Sequence, residues 1–235
     1  MISSRRSPSK KGVPALFAYL FRRTPLCVLA LGMEILTVDS ALFGHDPQQP
    51  KGVPEVQPEK GIFLVAHPRI GGPFRQTVVL LLAHGEQGTL GLVVNRPTDV
   101  PLSEVLPEMA RGDKESRDLY FGGPVGLENL IFMFRSDKEE AGAAHVMDDV
   151  YFSGDRQVLE RVIGERGPDR LRIYIGHSGW APRQLDAEIA RGDWRLVRAD
   201  ATAVFGRNSE RLWKRLSPPA PSSIVASAFS GQKYQ

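Results

Sequence analysis

Two apolar, β-branched runs, QTVVLLLAH (76–84) and TLGLVVNR (89–96), flank the short connection GEQG (85–88), and this arrangement constrains the fold more than any other stretch. Both runs read as strands, and the glycine-containing connection returns one onto the other as a β-hairpin with a four-residue loop. GIFLVA (61–66) precedes them as a third buried strand. Pro97 ends the last of the three, because it has no N–H to donate to a ladder. DLYFGGPV (118–125), NLIFMFRS (129–136) and VMDDVYFSG (146–154) continue the β content, and RLRIYIGHS (170–178) alternates Leu171, Ile173 and Ile175 as a strand does.

Helical spacing is confined to short pieces. PLSEVLPEMA (101–110) is a weak helix interrupted by Pro107. DRQVLERVIGER (155–166) places Val158, Leu159, Val162 and Ile163 on one face. APRQLDAEIARGD (181–193) has Pro182 near its first turn, Leu185 and Ile189 on one face, and Gly192 as a stop. SERLWKRL (209–216) is a last amphipathic piece. Hairpin-like strands come first and helices later, which points to an α+β fold.

The pattern begins abruptly at Gly61. Residues 44–60 hold four prolines and almost no apolar surface, so they read as a linker. The expected organisation is an N-terminal extension and linker over 1–60, one domain over 61–216, and a Pro/Ser-rich disordered tail over 217–235. The uncharged apolar stretch Thr24 to Met33 is about half the roughly 20 residues a membrane helix needs, and lengthening it would bury Glu34. No transmembrane helix is expected. Residues 1–41 loosely imitate a signal peptide or a transit peptide, and an unstructured extension from an upstream start codon is the third reading. The cytoplasm is the expected location.

Charge separates along the chain. Residues 1–60 hold eight Lys/Arg against five Asp/Glu, whereas 61–235 hold twenty-two of each. A neutral domain without a helix-turn-helix, zinc or basic-region pattern does not suit direct DNA recognition. The single cysteine, Cys27, excludes an internal disulfide. The five histidines form no His-x-x-x-His pair, and His84-Gly-Glu86 lacks the Pro-Cys-x-x-Cys partner of a zinc deaminase, so neither metal nor cofactor is expected. Gly176-His177-Ser178-Gly179-Trp180 carries tryptophan where a nucleophile elbow needs its second glycine. Neighbouring strand residues also point to opposite faces, which separates His177 from Ser178. The pairs at 71–73 and 122–124 read as tight Gly-Gly-Pro turns or as bare backbone lining a cleft. Trp180 and Trp194 read as anchors of the helix between them.

Taken in order, GIFLVAHP, FRQTVVLLLAH, GTLGLVVNRP, GGPV, GHSGWxxxQLxxEI and the following Trp resemble the YqgE/AlgH family of bacterial proteins from about Gly61 to Leu216. The resemblance implies an α+β domain in which a bifurcated, mixed, largely antiparallel sheet folds into a pseudo-barrel with flanking helices. It implies no settled activity, although the AlgH branch carries a name linked to regulation of alginate synthesis. The chain departs from the family in its long N-terminal extension and in HPRIGGPF, where members often carry an acid before the Phe.

Residues 175–194 are expected to be architectural, with Gly176 and Gly179 shaping a strand-to-helix turn that Trp180 seals. The expected wall of a ligand site combines His67, Asn95, Arg96, the Gly122-Gly123-Pro124 turn, His177 and Ser178, which are polar or bare-backbone groups at strand ends. Two function classes follow. One is a non-enzymatic binding or regulatory module that acts through a protein or small-molecule partner and touches transcription only indirectly. The other is an enzyme acting on a small nucleotide-like ligand near His177.

Overall fold

The structure, a computed structural model, describes residues 56–110, 118–164 and 169–217. The readings of the N-terminal extension up to residue 55 and of the tail from 218 lie outside these residues.

The three apolar runs become neighbours: β1 (Ile62–Ala66), β2 (Val78–Gly85) and β3 (Gly88–Val93) pair antiparallel in that order. Apart from His84 and Thr89 next to the hairpin turn, they are apolar without alternation, because both of their faces are covered. Phe63, Val65, Val78 and Leu80 enter one core, while Ile62, Leu64, Val79 and Leu81 enter another. Each such side chain contributes roughly 1.5–3 kcal/mol on full burial. The hairpin is tighter than the four-residue loop expected from GEQG. Gly85 pairs with Gly88, so only Glu86 and Gln87 turn the chain, and Gly88 adopts a φ of 114°, open chiefly to glycine. Pro97 does not end β3, which stops at Val93; it opens β4 (Pro97–Pro101). β4 pairs only with β5 (Asp118–Phe121), an edge position where a missing N–H costs no ladder bond.

The remaining strands are β6 (Val125–Arg135), β7 (Ala144–Met147), β8 (Val150–Ser153), β9 (Leu171–Trp180) and β10 (Trp194–Arg198), and the main path runs β10-β1-β2-β3-β9-β6-β8-β7. The sheet forks at β9. Its first half lies between β5, parallel, and β6, antiparallel, and its last three residues pair with β3. The fold is therefore α+β with a bifurcated, mixed, largely antiparallel sheet.

The sheet curls but does not close into a barrel. A Cβ built on Gly61 would lie 3.2 Å from that of Met147, and Lys60 Nζ donates to the His145 carbonyl, so β7 approaches the start of β1. No ladder joins them. The gap is filled by α5 (Ala201–Phe205) and α6 (Leu212–Leu216), whose Val204, Phe205 and Leu212 share a core with Phe63 and Tyr174.

The other helices are short. α1 (Leu102–Val105) and α2 (Pro107–Ala110) are split at Pro107, as the sequence suggests. α3 (Arg156–Ile163) buries all four expected apolar residues, and the Asp155 carboxylate caps it by accepting from the Gln157 N–H at 2.8 Å. α4 (Gln184–Ala190) ends in a Schellman motif: Gly192, at φ 72°, donates to the Ile189 carbonyl and Asp193 to that of Glu188. The expected turn at 176–179 is corrected. Pairing of Gly91 with Ser178 and Thr89 with Trp180 carries β9 through to Trp180, and the turn falls at 181–183, where Arg183 takes a φ of 64°. Among the described residues, no helix is long and apolar enough to cross a membrane, and no three His, Cys, Asp or Glu side chains are grouped to hold a metal.

Candidate functional site

The fork demands bare backbone. Gly122 donates its N–H to the Ile175 carbonyl and accepts at its own carbonyl from Val93, so it ties both prongs together. A Cβ there would lie 2.3 Å from the Gly176 oxygen, and one on Gly123 would lie 2.3 Å from the His177 carbonyl. Convergence of three strands thus accounts for the Gly-Gly pair, and Pro124 follows at the surface. Ser178 is wholly buried and spends its hydroxyl on the Gly122 carbonyl at 3.2 Å. His177, on the opposite face, is 3% exposed, and its Nδ1 has no hydrogen-bond partner. Its ring packs on Gly126, and its Nε2 lies 3.9 Å from where a Cβ of Gly179 would stand. Burial lowers its pKa against the pull of Glu128, so the imidazole is neutral near pH 7.

Asn95 and Arg96 act on the loop that joins β1 to β2. The Asn95 Oδ1 accepts from the Val78 N–H at 2.7 Å, and its Nδ2 donates to the Gln76 carbonyl at 3.0 Å, bracing Gln76 in its left-handed φ of 55°. Arg96 donates to the carbonyls of Pro73 and Arg75, both at 2.8 Å, with its guanidinium 5.7 Å from the Phe121 ring centre. A loop without ladder partners needs such side chains to satisfy its carbonyls. His67 stands exposed at the start of the loop, where its backbone N–H meets the Asp193 carbonyl and its Nδ1 accepts from the Arg69 N–H. Gly122, Gly123, His177 and Ser178 therefore meet at the fork with Pro124 beside them. Asn95 and Arg96 adjoin through the loop, and His67 lies at the loop's other end.

The stapled loop holds one wall of a cleft of about 410 Å³ whose other walls are the end of β9 and helix α4. Small-molecule sites fall in the range of about 300–1,000 Å³. Phe74 stacks on Trp180 at 6.0 Å and meets Trp194 edge-on at 5.6 Å. Glu188 Oε2 accepts from both indole N–H groups at 2.8 Å, and Oε1 accepts from Gln184 at 3.0 Å. At the mouth, Asp193 pairs with Arg69 at 3.0 Å and with Arg191 at 2.7 Å, while Arg69 also donates to the Arg191 carbonyl. Burial pushes the Asp193 carboxyl up, but the hydrogen bonds and charges of Arg69 and Arg191 outweigh it and hold its pKa below the usual range. Sequence reasoning did not single out Arg69, Phe74, Gln184, Glu188 or Asp193. One signal was present: two tryptophans expected to be buried each need an acceptor, and Glu188 lies on the helix between them.

The model of the AlgH-like family, DUF179, matches residues 63–219. A UPF0301 protein of Methylococcus capsulatus is 35% identical over 171 residues, covering 71% of this chain and 94% of its own length. A UPF0301 protein of Myxococcus xanthus is 37% identical over 158 residues, covering 64% and 84%. Among solved structures, the AlgH protein from Pseudomonas aeruginosa matches with a TM-score of 0.56 and 29% identity over 77% of this chain and 100% of that one. A crystal structure of a protein from Corynebacterium diphtheriae, at 24% identity and TM-score 0.59, shares the fold over 73% and 92%.

Proposed function

The chain belongs to the AlgH-like family, and on that premise we propose that it is a non-enzymatic binding module whose effect on transcription, if it has one, passes through a bound small molecule or protein. The observation that carries this reading is the state of the ionisable groups in the cleft. Asp193 is ionised between two guanidiniums, and Glu188 is committed to two indoles and an amide. A general base works best with a pKa near the operating pH, and a carboxylate held below its ordinary value suits recognition better than proton transfer. Arg69, half exposed at the rim, and Gln184 offer donors to a ligand, with Phe74 as an apolar surface. The proposed site thus extends from the fork residues to the cleft, His67 and the Arg69–Asp193 pair forming its outer edge. Direct DNA recognition has no support in the neutral charge of residues 61–235.

One observation favours the enzymatic alternative. His177 is a neutral, buried imidazole with an unpartnered Nδ1, next to the Gly179 that lines the cleft. A thermal-shift screen of metabolites on the full chain separates the two. A compound that raises the melting temperature unchanged in mass, and loses its effect in Arg69→Ala and Gln184→Ala, supports the binding module. Conversion of that compound to a product, abolished in His177→Ala, would replace the binding module with the enzyme.

A further inference from the structure

On the side chains that line the Trp180 cleft, every acceptor is engaged, whereas several donors are not. Glu188 Oε2 takes both indole N–H groups and Oε1 takes Gln184, whose own Oε1 accepts from the Ala181 N–H at 3.1 Å. Asp193 Oδ1 accepts from Arg69, and Oδ2 accepts from Nε and Nη2 of Arg191 at 3.1 and 2.7 Å. A guanidinium carries five N–H donors and no acceptor. Arg69 bonds through Nη2 alone, to Asp193 and to the Arg191 carbonyl, while Arg191 uses Nε and Nη2. Among the described residues, Nε and Nη1 of Arg69 and Nη1 of Arg191 therefore make no hydrogen bond. Two guanidiniums share one carboxylate at the mouth, which leaves a single surplus positive charge there.

A glycine in the same cleft points to an occupant independently. Gly91, Gly122, Gly123 and Gly176 are required by crowding, since a Cβ on any of them would meet another atom at 2.3–2.6 Å. Gly179 is different. Its φ is open to any residue, and a Cβ there would have only the His177 ring near it, at 3.9 Å. Glycine inside a strand costs stability, and where crowding does not demand it, it often marks the close approach of a ligand to the backbone. Gly179 lines the cleft with backbone alone, next to apolar surface from the half-buried Ile70 and Phe74.

Taking the cleft as the binding site proposed above, we infer that its ligand is a monocarboxylate on a compact apolar body. The carboxylate accepts from the unused N–H groups of Arg69 and Arg191, and the apolar body lies along Phe74 and the bare backbone of Gly179. Charge decides between the two anions that suit a guanidinium fork. A carboxylate matches the one surplus charge, whereas a phosphate monoester, at about −1.5 to −2 near neutral pH, exceeds it.

Titration of the full chain with benzoate, benzamide and phenyl phosphate tests this, followed at the indole N–H resonances of Trp180 and Trp194. Trp213, whose N–H goes to the Ala66 carbonyl outside the cleft lining, is the internal reference. Benzoate is expected to shift the two cleft resonances more than that of Trp213. It is expected to bind roughly tenfold more tightly than benzamide, the effect of one charge-assisted hydrogen bond, and more tightly than phenyl phosphate. Arg69→Gln is expected to abolish the preference for acid over amide. Asp193→Asn, which frees donors and raises the surplus charge, is expected to turn the preference toward phenyl phosphate. Gly179→Ala is expected to melt no lower than the parent yet to bind benzoate more weakly. If benzamide or phenyl phosphate binds as tightly as benzoate, the cleft binds small molecules but the monocarboxylate inference is overturned. It is overturned as well if no compound moves the cleft resonances, or if benzoate binds Arg69→Gln as it binds the parent. In those cases the binding-module reading stands or falls separately, on the metabolite screen.

Discussion

At the scale of single residues, His177 is the group whose chemistry the fold changes most visibly. An imidazole free in an unfolded chain titrates near about pH 6.5, and burial lowers that value in the folded protein. Below about pH 6.5 the unfolded chain takes up a proton that the folded chain refuses, so acidification favours unfolding. The stability associated with neutral His177 is complete above the unfolded pKa and is lost as pH falls toward the folded one. Denaturant unfolding from about pH 7.5 down to about pH 5.5 is therefore expected to show a steeper loss for the parent than for His177→Phe, which keeps the ring volume and removes the titration. Parallel pH profiles would sink this account.

Between elements, the cleft is held by a clamp rather than by a continuous ladder. β9 supplies Trp180, β10 supplies Trp194, and helix α4 places Glu188 so that one carboxylate oxygen receives both indole N–H groups. Leu185 docks the same helix into the core that holds Leu64 and Leu81. Removing a large ring from such a core costs roughly 3–5 kcal/mol, the expectation for Trp180→Ala. Glu188→Ala removes little volume but leaves two buried donors unpaired, each worth roughly 1–3 kcal/mol, so a loss of a few kcal/mol is expected from it alone. Chemical denaturation of the two variants measures both. A Glu188→Ala protein within about 0.5 kcal/mol of the parent, the range of an ordinary surface change, shows that the carboxylate is not the clamp.

For the whole molecule, the partition of the chain is a matter of where backbone groups find partners. From β1 to α6 the strands exchange hydrogen bonds across long sequence separations, and the AlgH-like match spans residues 63–219. Residues 44–60 contain four prolines, each without a backbone N–H to donate. Limited proteolysis of the full chain is expected to cut first within 44–60 or beyond 217, leaving a resistant fragment that begins near Gly61 and ends near Leu216. A first cut inside 61–216, mapped by mass spectrometry, contradicts that partition.

The sequence alone determined the elements whose signal is local. Val158, Leu159, Val162 and Ile163 recur at helical spacing, so α3 and its buried face are readable without knowing what it packs on. The same holds for β1, β2 and β3, for the break at Pro107, and for Gly192 as a helix stop, because periodicity and φ preference belong to neighbouring residues. The tertiary structure alone decided where the sheet forks and therefore what the glycines do. Gly122 is bare because Gly176, more than fifty residues away, comes within 2.3 Å of where its Cβ would stand. Pairing with β3 likewise turned the expected bend at 176–179 into strand, and it buried His177 and Ser178 on opposite faces. The cleft residues Arg69, Phe74, Glu188 and Asp193 come from three segments that meet only when the loop after β1 is stapled by Asn95 and Arg96. Hydrogen-bond geometry and the burial of charge depend on which distant backbones converge. Periodicity within one segment carries no record of that.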